Sequence, residues 1–184
     1  NEEGELVPTG EFLFELMDLD TVEELNSVVQ KETDGAVMID EVYRAYTLPA
    51  KLEEDAVAEA YDSAAGLELS EDGLYGYVFG VTTKEGYNGA ISLYVGITAD
   101  GRLKGVSLLK IGETPGLGMN AESQLLPQFR DVDADTFVVV KTGAQMPGEV
   151  DAISGATITS DAITGGVNAV YECFLLMQEG GEES

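Results

Sequence analysis

Between residues 74 and 110 the hydrophobic positions alternate with a period of two. Tyr75, Tyr77, Phe79 and Val81 fall on one face, and Gly76, Val78, Gly80 and Thr82 on the other. After a turn read at Lys84-Glu85-Gly86, Ile91, Leu93, Val95 and Ile97 alternate with Ser92, Tyr94 and Gly96. Asp100-Gly101 is a hairpin signal, and residues 103–110 return as a third strand. Elsewhere the spacing is helical. Val22, Leu25 and Val28-Val29 follow Asp20, which reads as an N-cap. Ile163, Val167, Val170, Phe174 and Met177 form a longer stripe of helical period near the end of the chain. Asn120 reads as the cap of a short helix through Glu122, Leu125, Leu126 and Phe129, cut by Pro127. Phe137-Val138-Val139-Val140 has the look of a strand buried on both faces. Residues 37–47 mix β-branched and aromatic types, so helix and strand compete there, and residues 51–66 read as a charged, Ala-rich surface helix.

These elements predict an α+β fold, a single domain built on a mainly antiparallel sheet meander flanked by helices. The expected divisions are an acidic arm (1–20), a helical or mixed part (21–73), the domain core (74–178) and an acidic tail (179–184).

Composition narrows the chemistry. The 184 residues are 44% apolar, a globular value, yet the formal net charge is −26, from 35 acidic and 9 basic residues. Such a field repels nucleic acid and anionic headgroups, which excludes nucleic-acid binding. Histidine is absent, removing Ser-His-Asp and Cys-His catalysis and most zinc sites. A single cysteine, Cys173, allows no internal disulfide or iron–sulfur cluster and reads as a small core residue. Redox chemistry here has to come from a cofactor. No apolar run reaches the roughly 18 residues of a membrane span. The chain opens Asn1-Glu2-Glu3-Gly4, without Met, and an anchor or signal segment upstream is expected.

Two glycine-bearing segments remain. Asp151-Ala152-Ile153-Ser154-Gly155-Ala156-Thr157, followed by Ile158-Thr159-Ser160, sets hydroxyls and small residues directly before the last helical stripe. A helix start offers free N–H groups and a partial positive charge, which together suit a phosphate. Ser160 or Thr159 would cap the helix, with Thr157 just upstream, while Gly155 and Ala156 keep side-chain bulk away. The ordinary alternative is a Ser/Thr-rich turn that only caps a helix. In Glu113-Thr114-Pro115-Gly116-Leu117-Gly118, Pro115-Gly116 makes a tight turn. Glu113 and Thr114 offer polar groups there, Leu117 an apolar contact, and Gly118 room for a flat ring.

Together these segments resemble the two signatures of the FMN-binding domain family found in RnfG and NqrC. Gly86-Tyr87-Asn88-Gly89 agrees with the match, which runs from about residue 76 to about residue 170. The resemblance implies that residues 74–178 hold FMN, transferred from FAD by a flavin transferase and joined to Thr157 as a phosphoester. Asp151, Ser154, Gly155 and Ala156 would position the acceptor or be read by the transferase. Glu113, Thr114, Leu117 and Gly118 would meet the flavin. Relatives commonly carry a His-Lys pair before the Glu-Thr-Pro loop, where this chain has Ile111-Gly112. Lys110 and Lys141 are then the expected cations near the phosphate. The implied role is an electron-carrying subunit of a membrane ion-translocating oxidoreductase complex, of the RnfG type. It would work with other subunits, on the extracytoplasmic side, behind an N-terminal anchor. The competing readings are the NqrC subunit of a sodium-translocating NADH:quinone reductase, or a free-standing flavinylated extracytoplasmic lipoprotein, or a non-redox phosphate- or partner-binding module.

Overall fold

A computed structural model describes residues 6–9, 12–47, 73–111 and 120–181. Among these residues six antiparallel strands lie in sequence order: β1 (Leu6–Thr9), β2 (Phe12–Leu16), β3 (Val37–Thr47), β4 (Leu74–Gly86), β5 (Gly89–Thr98) and β6 (Leu103–Ile111). Helix α1 (Leu19–Glu32) links β2 to β3, and α2 (Thr157–Gly181) ends the described chain. A short parallel pair, β7 (Val138–Val140) and β8 (Glu149–Asp151), leads into α2. The fold is therefore α+β.

The alternation in the sequence sets the layers. Phe79, Val81, Ile91, Leu93, Val95 and Ile97 are buried from one face of the central strands. Ile163, Val167, Val170 and Phe174 of α2, with Val22, Leu25 and Val29 of α1, join them in one core. The other face is more polar. There the Glu41 carboxylate accepts hydrogen bonds from Tyr43 (2.9 Å) and Tyr94 (2.6 Å). Burial and this carboxylate push the Tyr43 phenol up to about 12. Gly86 closes the β4–β5 hairpin because a Cβ there would lie 2.2 Å from the Gly89 carbonyl oxygen. That closeness sets Tyr87 at the tip.

Several expectations are corrected. The helix cap is Asp18, not Asp20: Asp18 is extended (φ −64°, ψ 154°) and its Oδ1 accepts the Thr21 N–H at 2.9 Å. Asp20 lies within the first turn. The stretch 1–20, read as an arm, contains β1 and β2, which extend the sheet: β2 pairs with β3, and β1 pairs with β2. Residues 37–47 are strand, since Val37, Ile39 and Val42 fill the core beside β4. The β4 strand runs through Lys84-Glu85-Gly86, and the turn falls on Tyr87-Asn88. Asn120 caps nothing, because its own backbone is helical (φ −67°, ψ −36°). A π-helical turn (Ala121–Leu125) follows, then a 3-10 turn (Leu126–Phe129), the tightening that Pro127, with no N–H to donate, accommodates. Val138 is 55% exposed, since β7 pairs only with β8 and only neighbouring Phe137 reaches the core. The tail expected from 179 is helical to Gly181. The surface helix expected over 51–66 lies outside the described residues.

Cys173 is wholly buried, and burial pushes its thiol up to about 12. A free thiol loses its proton near pH 8.5, so at that pH the folded chain should resist iodoacetamide while the urea-unfolded chain reacts, read by mass. Phe79→Ala should cost about 3–5 kcal/mol, measured by urea unfolding, because Phe79 sits under α2 with no exposed surface.

Candidate functional site

The turn between β8 and α2 is held from three sides. Gln128 clamps Asp151: its Oε1 accepts the Asp151 N–H at 2.7 Å, and its Nε2 donates to the Asp151 carbonyl at 3.0 Å. The Asp151 carboxylate accepts the Ala144 N–H at 2.9 Å, so it braces the 143–148 loop. Glu149 accepts the N–H groups of Gln145 and Met146, and these bonds hold its carboxyl below the usual range. The Ala152 N–H donates to the Val140 carbonyl at 2.8 Å, which sets Lys141 beside the entry to the turn.

Within the turn, Ile153 and Ala156 are buried while Ser154, Gly155 and Thr157 are exposed. The Ser160 hydroxyl ties this together: it accepts the Ile153 N–H at 3.0 Å and donates to the Ala156 carbonyl at 2.9 Å. Gly155 has φ +75°, with nothing within 4 Å of an added Cβ, so backbone angle and not crowding requires glycine.

Helix α2 starts at Thr157, a turn earlier than the apolar stripe suggests. Thr157 is thus its first residue, not a residue upstream. Ser160 is no end cap but a clamp from inside the first turn. Thr159 caps nothing either: it is wholly buried, and its Oγ1 has no hydrogen-bond partner. The amides of Thr157, Ile158 and Thr159 precede the first intrahelical bonds. No acidic residue occupies this first turn, in a chain with 35 of them, although a helix start favours carboxylates.

These amides border a cleft of about 460 Å³ lined by Tyr87, Gly155, Ala156, Thr157, Ile158 and Thr159. Its size is that of small-molecule sites. Tyr87 and Ile158 are 65% and 52% exposed, and they give the mouth an aromatic and an aliphatic wall. A roomier cleft, about 780 Å³, lies at the far end of α2 among Leu176, Met177 and Arg44. That end presents carbonyls, not amides, and Arg44 is paired there with Glu15 at 3.1 Å, so it is the poorer anion site. Among the described residues no cluster of His, Cys, Asp or Glu is placed to hold a metal, and no helix is long and apolar enough to cross a membrane.

The structure brings together Gly155, Ala156, Thr157 and Thr159, and sets Ser154 on the exposed turn beside them. It does not bring Lys110 in: Lys110 pairs with Ser92, whose side chain lies on the sheet face away from α2. Glu113, Thr114, Leu117 and Gly118 lie outside the described residues. Of the described residues that flank this segment, Ile111 pairs with Ile91, in the strand that leaves the hairpin of Tyr87. Sequence reasoning did not single out Tyr87, Ile158 or Gln128 as site residues. An aromatic residue between the glycines of a hairpin was the available signal for Tyr87; Gln128 gave none.

Known proteins resemble this chain in both sequence and fold. Residues 86–172 match the family model described as FMN-binding domain. The G subunit of the Na(+)-translocating ferredoxin:NAD(+) oxidoreductase complex of Acetobacterium woodii is 36% identical over 171 residues, covering 84% of this chain and 78% of that protein. The G subunit of the ion-translocating oxidoreductase complex of Methanosarcina acetivorans is 32% identical, covering 72% and 80%. The proton-translocating counterpart from Clostridium ljungdahlii is 44% identical over 89 residues, and the match spans about half of each chain, 48% in both. In fold, the chain resembles the crystal structure of Shewanella oneidensis NqrC, with TM-score 0.53 and 20% identity over 77% of this chain and 62% of that one.

Ser160→Ala should destabilise the protein by about 1–3 kcal/mol, measured by urea unfolding, because it strips the buried Ile153 N–H of its acceptor. Amide exchange at Ile153 and Ala156 should quicken in the same variant.

Proposed function

The chain belongs to the FMN-binding domain family, among the G subunits of ion-translocating oxidoreductase complexes, and on that premise we propose that Thr157 carries its FMN as a phosphoester. The cofactor is FMN. The observation that carries the attachment is the place of Thr157. Its side chain is exposed on the first residue of α2, beside a cleft and next to amides that precede the first intrahelical bonds. Ser154 and Gly155 present the turn outward, where a modifying enzyme reaches it. Ile153, Ala156 and Ser160 hold its base rigid.

In the modification, Thr157 Oγ1 forms the bond to the FMN phosphorus of FAD, AMP leaves, and the hydroxyl proton passes to solvent. A flavin transferase is the partner for this step. The phosphate would then rest against the first-turn amides of α2, and Lys141 is the cation beside the entry turn. Tyr87 and Ile158 would flank the bound group. The ester joins the end of FMN remote from the ring, so its work is retention and position. FMN supplies the capacity to accept and release electrons. Glu113, Thr114, Leu117 and Gly118 would complete the ring's surroundings.

The electron-carrying role in a membrane complex rests on the relatives, which are subunits of multi-subunit ion-translocating oxidoreductases. Residence on the extracytoplasmic side, behind an N-terminal anchor, follows from the same family reading. The uneven charge of the chain suits a cationic face on a neighbouring subunit.

Co-expression with a flavin transferase tests the attachment. The wild-type chain should gain the mass of FMN on the peptide containing Thr157. Thr157→Ala should gain none while keeping its circular dichroism and melting temperature. Wild-type protein that stays colourless and unmodified in the presence of an active transferase sinks the reading.

A further inference from the structure

The hydroxyls of the first turns of α2 do not behave alike. Those of Ser160 and Thr164 donate one turn back, to the carbonyls of Ala156 (2.9 Å) and Ser160 (2.8 Å). For Thr159 the carbonyl one turn back belongs to Gly155, which lies outside the helix with φ +75°. Thr159 Oγ1 is left wholly buried and unpartnered, the one such side-chain atom among the described residues. A buried group of this kind is destabilising, and proteins seldom keep one without a use. Thr159 also lines the cleft that holds Thr157. Side chains on a helix lean toward its N-terminus, so the side chain of the third residue lies over the helix start, where an anion would sit.

We propose that Thr159 is a phosphate-binding residue: its hydroxyl donates to an oxygen of the FMN phosphate and finds there the partner the polypeptide does not supply. This rests on attachment at Thr157 and adds to it. The ester oxygen fixes the phosphorus at one point, which leaves rotation about the P–O bonds. A second contact from Thr159 stops that rotation and sets the direction in which the ribityl chain and ring leave the helix. The absence of any carboxylate from the first turn agrees with this, since none is there to take the hydroxyl's proton. The apo protein then keeps an unsatisfied hydroxyl that only modification relieves.

The test compares Thr159→Val, which keeps the shape and removes the hydroxyl, with Thr159→Ser and the wild type. Each is prepared unmodified and after co-expression with a flavin transferase. Unmodified Thr159→Val should melt at or above the wild-type temperature, by up to about 2–4 °C. Its gain in melting temperature on modification should be no more than half that of the wild type. The ³¹P resonance of the phosphodiester should move in Thr159→Val and stay near its wild-type position in Thr159→Ser. A hydroxyl with a hidden partner in the fold would instead make unmodified Thr159→Val melt lower, and that result overturns the proposal. So does an equal gain on modification with an unmoved ³¹P signal. If Thr159→Val fails to fold, Thr159→Ala and Thr159→Ser carry the same comparison. The two readings fail separately. FMN mapped to Thr157 with no effect at Thr159 removes only this one, whereas wild-type protein without FMN on Thr157 removes both.

Discussion

The packing of α2 across the inner face of the sheet fixes where Thr157 stands. Ile163, Val167, Val170 and Phe174 are buried against Phe79, Val81, Leu93 and Val95, and a rod of 25 residues anchored by that stripe has no freedom to slide. Its first residue is thereby held beside the hairpin that carries Tyr87. A shift of one turn, about 5.4 Å, would take every stripe residue out of register with the strands beneath. The location of Thr157 is a consequence of core packing about two turns further along.

A helix start can meet its unsatisfied amides with a side-chain cap, with an acidic residue in the first turn, or with a bound anion. Helix α1 shows the first solution, with Asp18 on the Thr21 amide, a contact that also holds the Asp18 carboxyl below its usual range. Helix α2 shows neither of the first two. Its hydroxyls are turned to other work: Ser160 clamps the preceding turn, and Thr159 is buried without a partner. In a chain with net charge −26, a helix start without a carboxylate is a local exception to the composition. The two helices thus begin differently, α1 with a side-chain cap and α2 with neither a side-chain cap nor an acidic first turn.

The bracing around the turn follows a consistent division. Groups facing inward are bonded, as in the Gln128 clamp on Asp151 and the Ser160 bond to Ile153. Groups facing outward, Ser154, Gly155 and Thr157, are exposed. A modifying enzyme needs an acceptor segment it can reach, and a carrier needs its cofactor held in one place. An exposed loop on a rigid base meets both needs.

Much of this was open to reading in the residues alone. Period-two alternation gave β4, β5 and β6 because each side chain in a half-buried strand answers only to its own face. The helical stripe of α2 and the acceptor motif were equally plain, since both are local in sequence. Tertiary context decided the rest. Asp18 displaced Asp20 as cap because the helix begins where β2 ends, which no local propensity states. Val138 came out exposed because, among the described residues, β7 pairs with β8 alone, and residues 6–9 and 12–16 became strands that extend the sheet beyond β3. Lys110 left the site once strand register placed it with Ser92. Ser160 or Thr159 was read as the cap, whereas the bonds of the one and the missing partner of the other are properties of three-dimensional surroundings. The chain by itself determined its strongly periodic elements and its family; the folded packing alone decided which hydroxyl is bonded, which is exposed and which has no partner, because those depend on how the elements pack together.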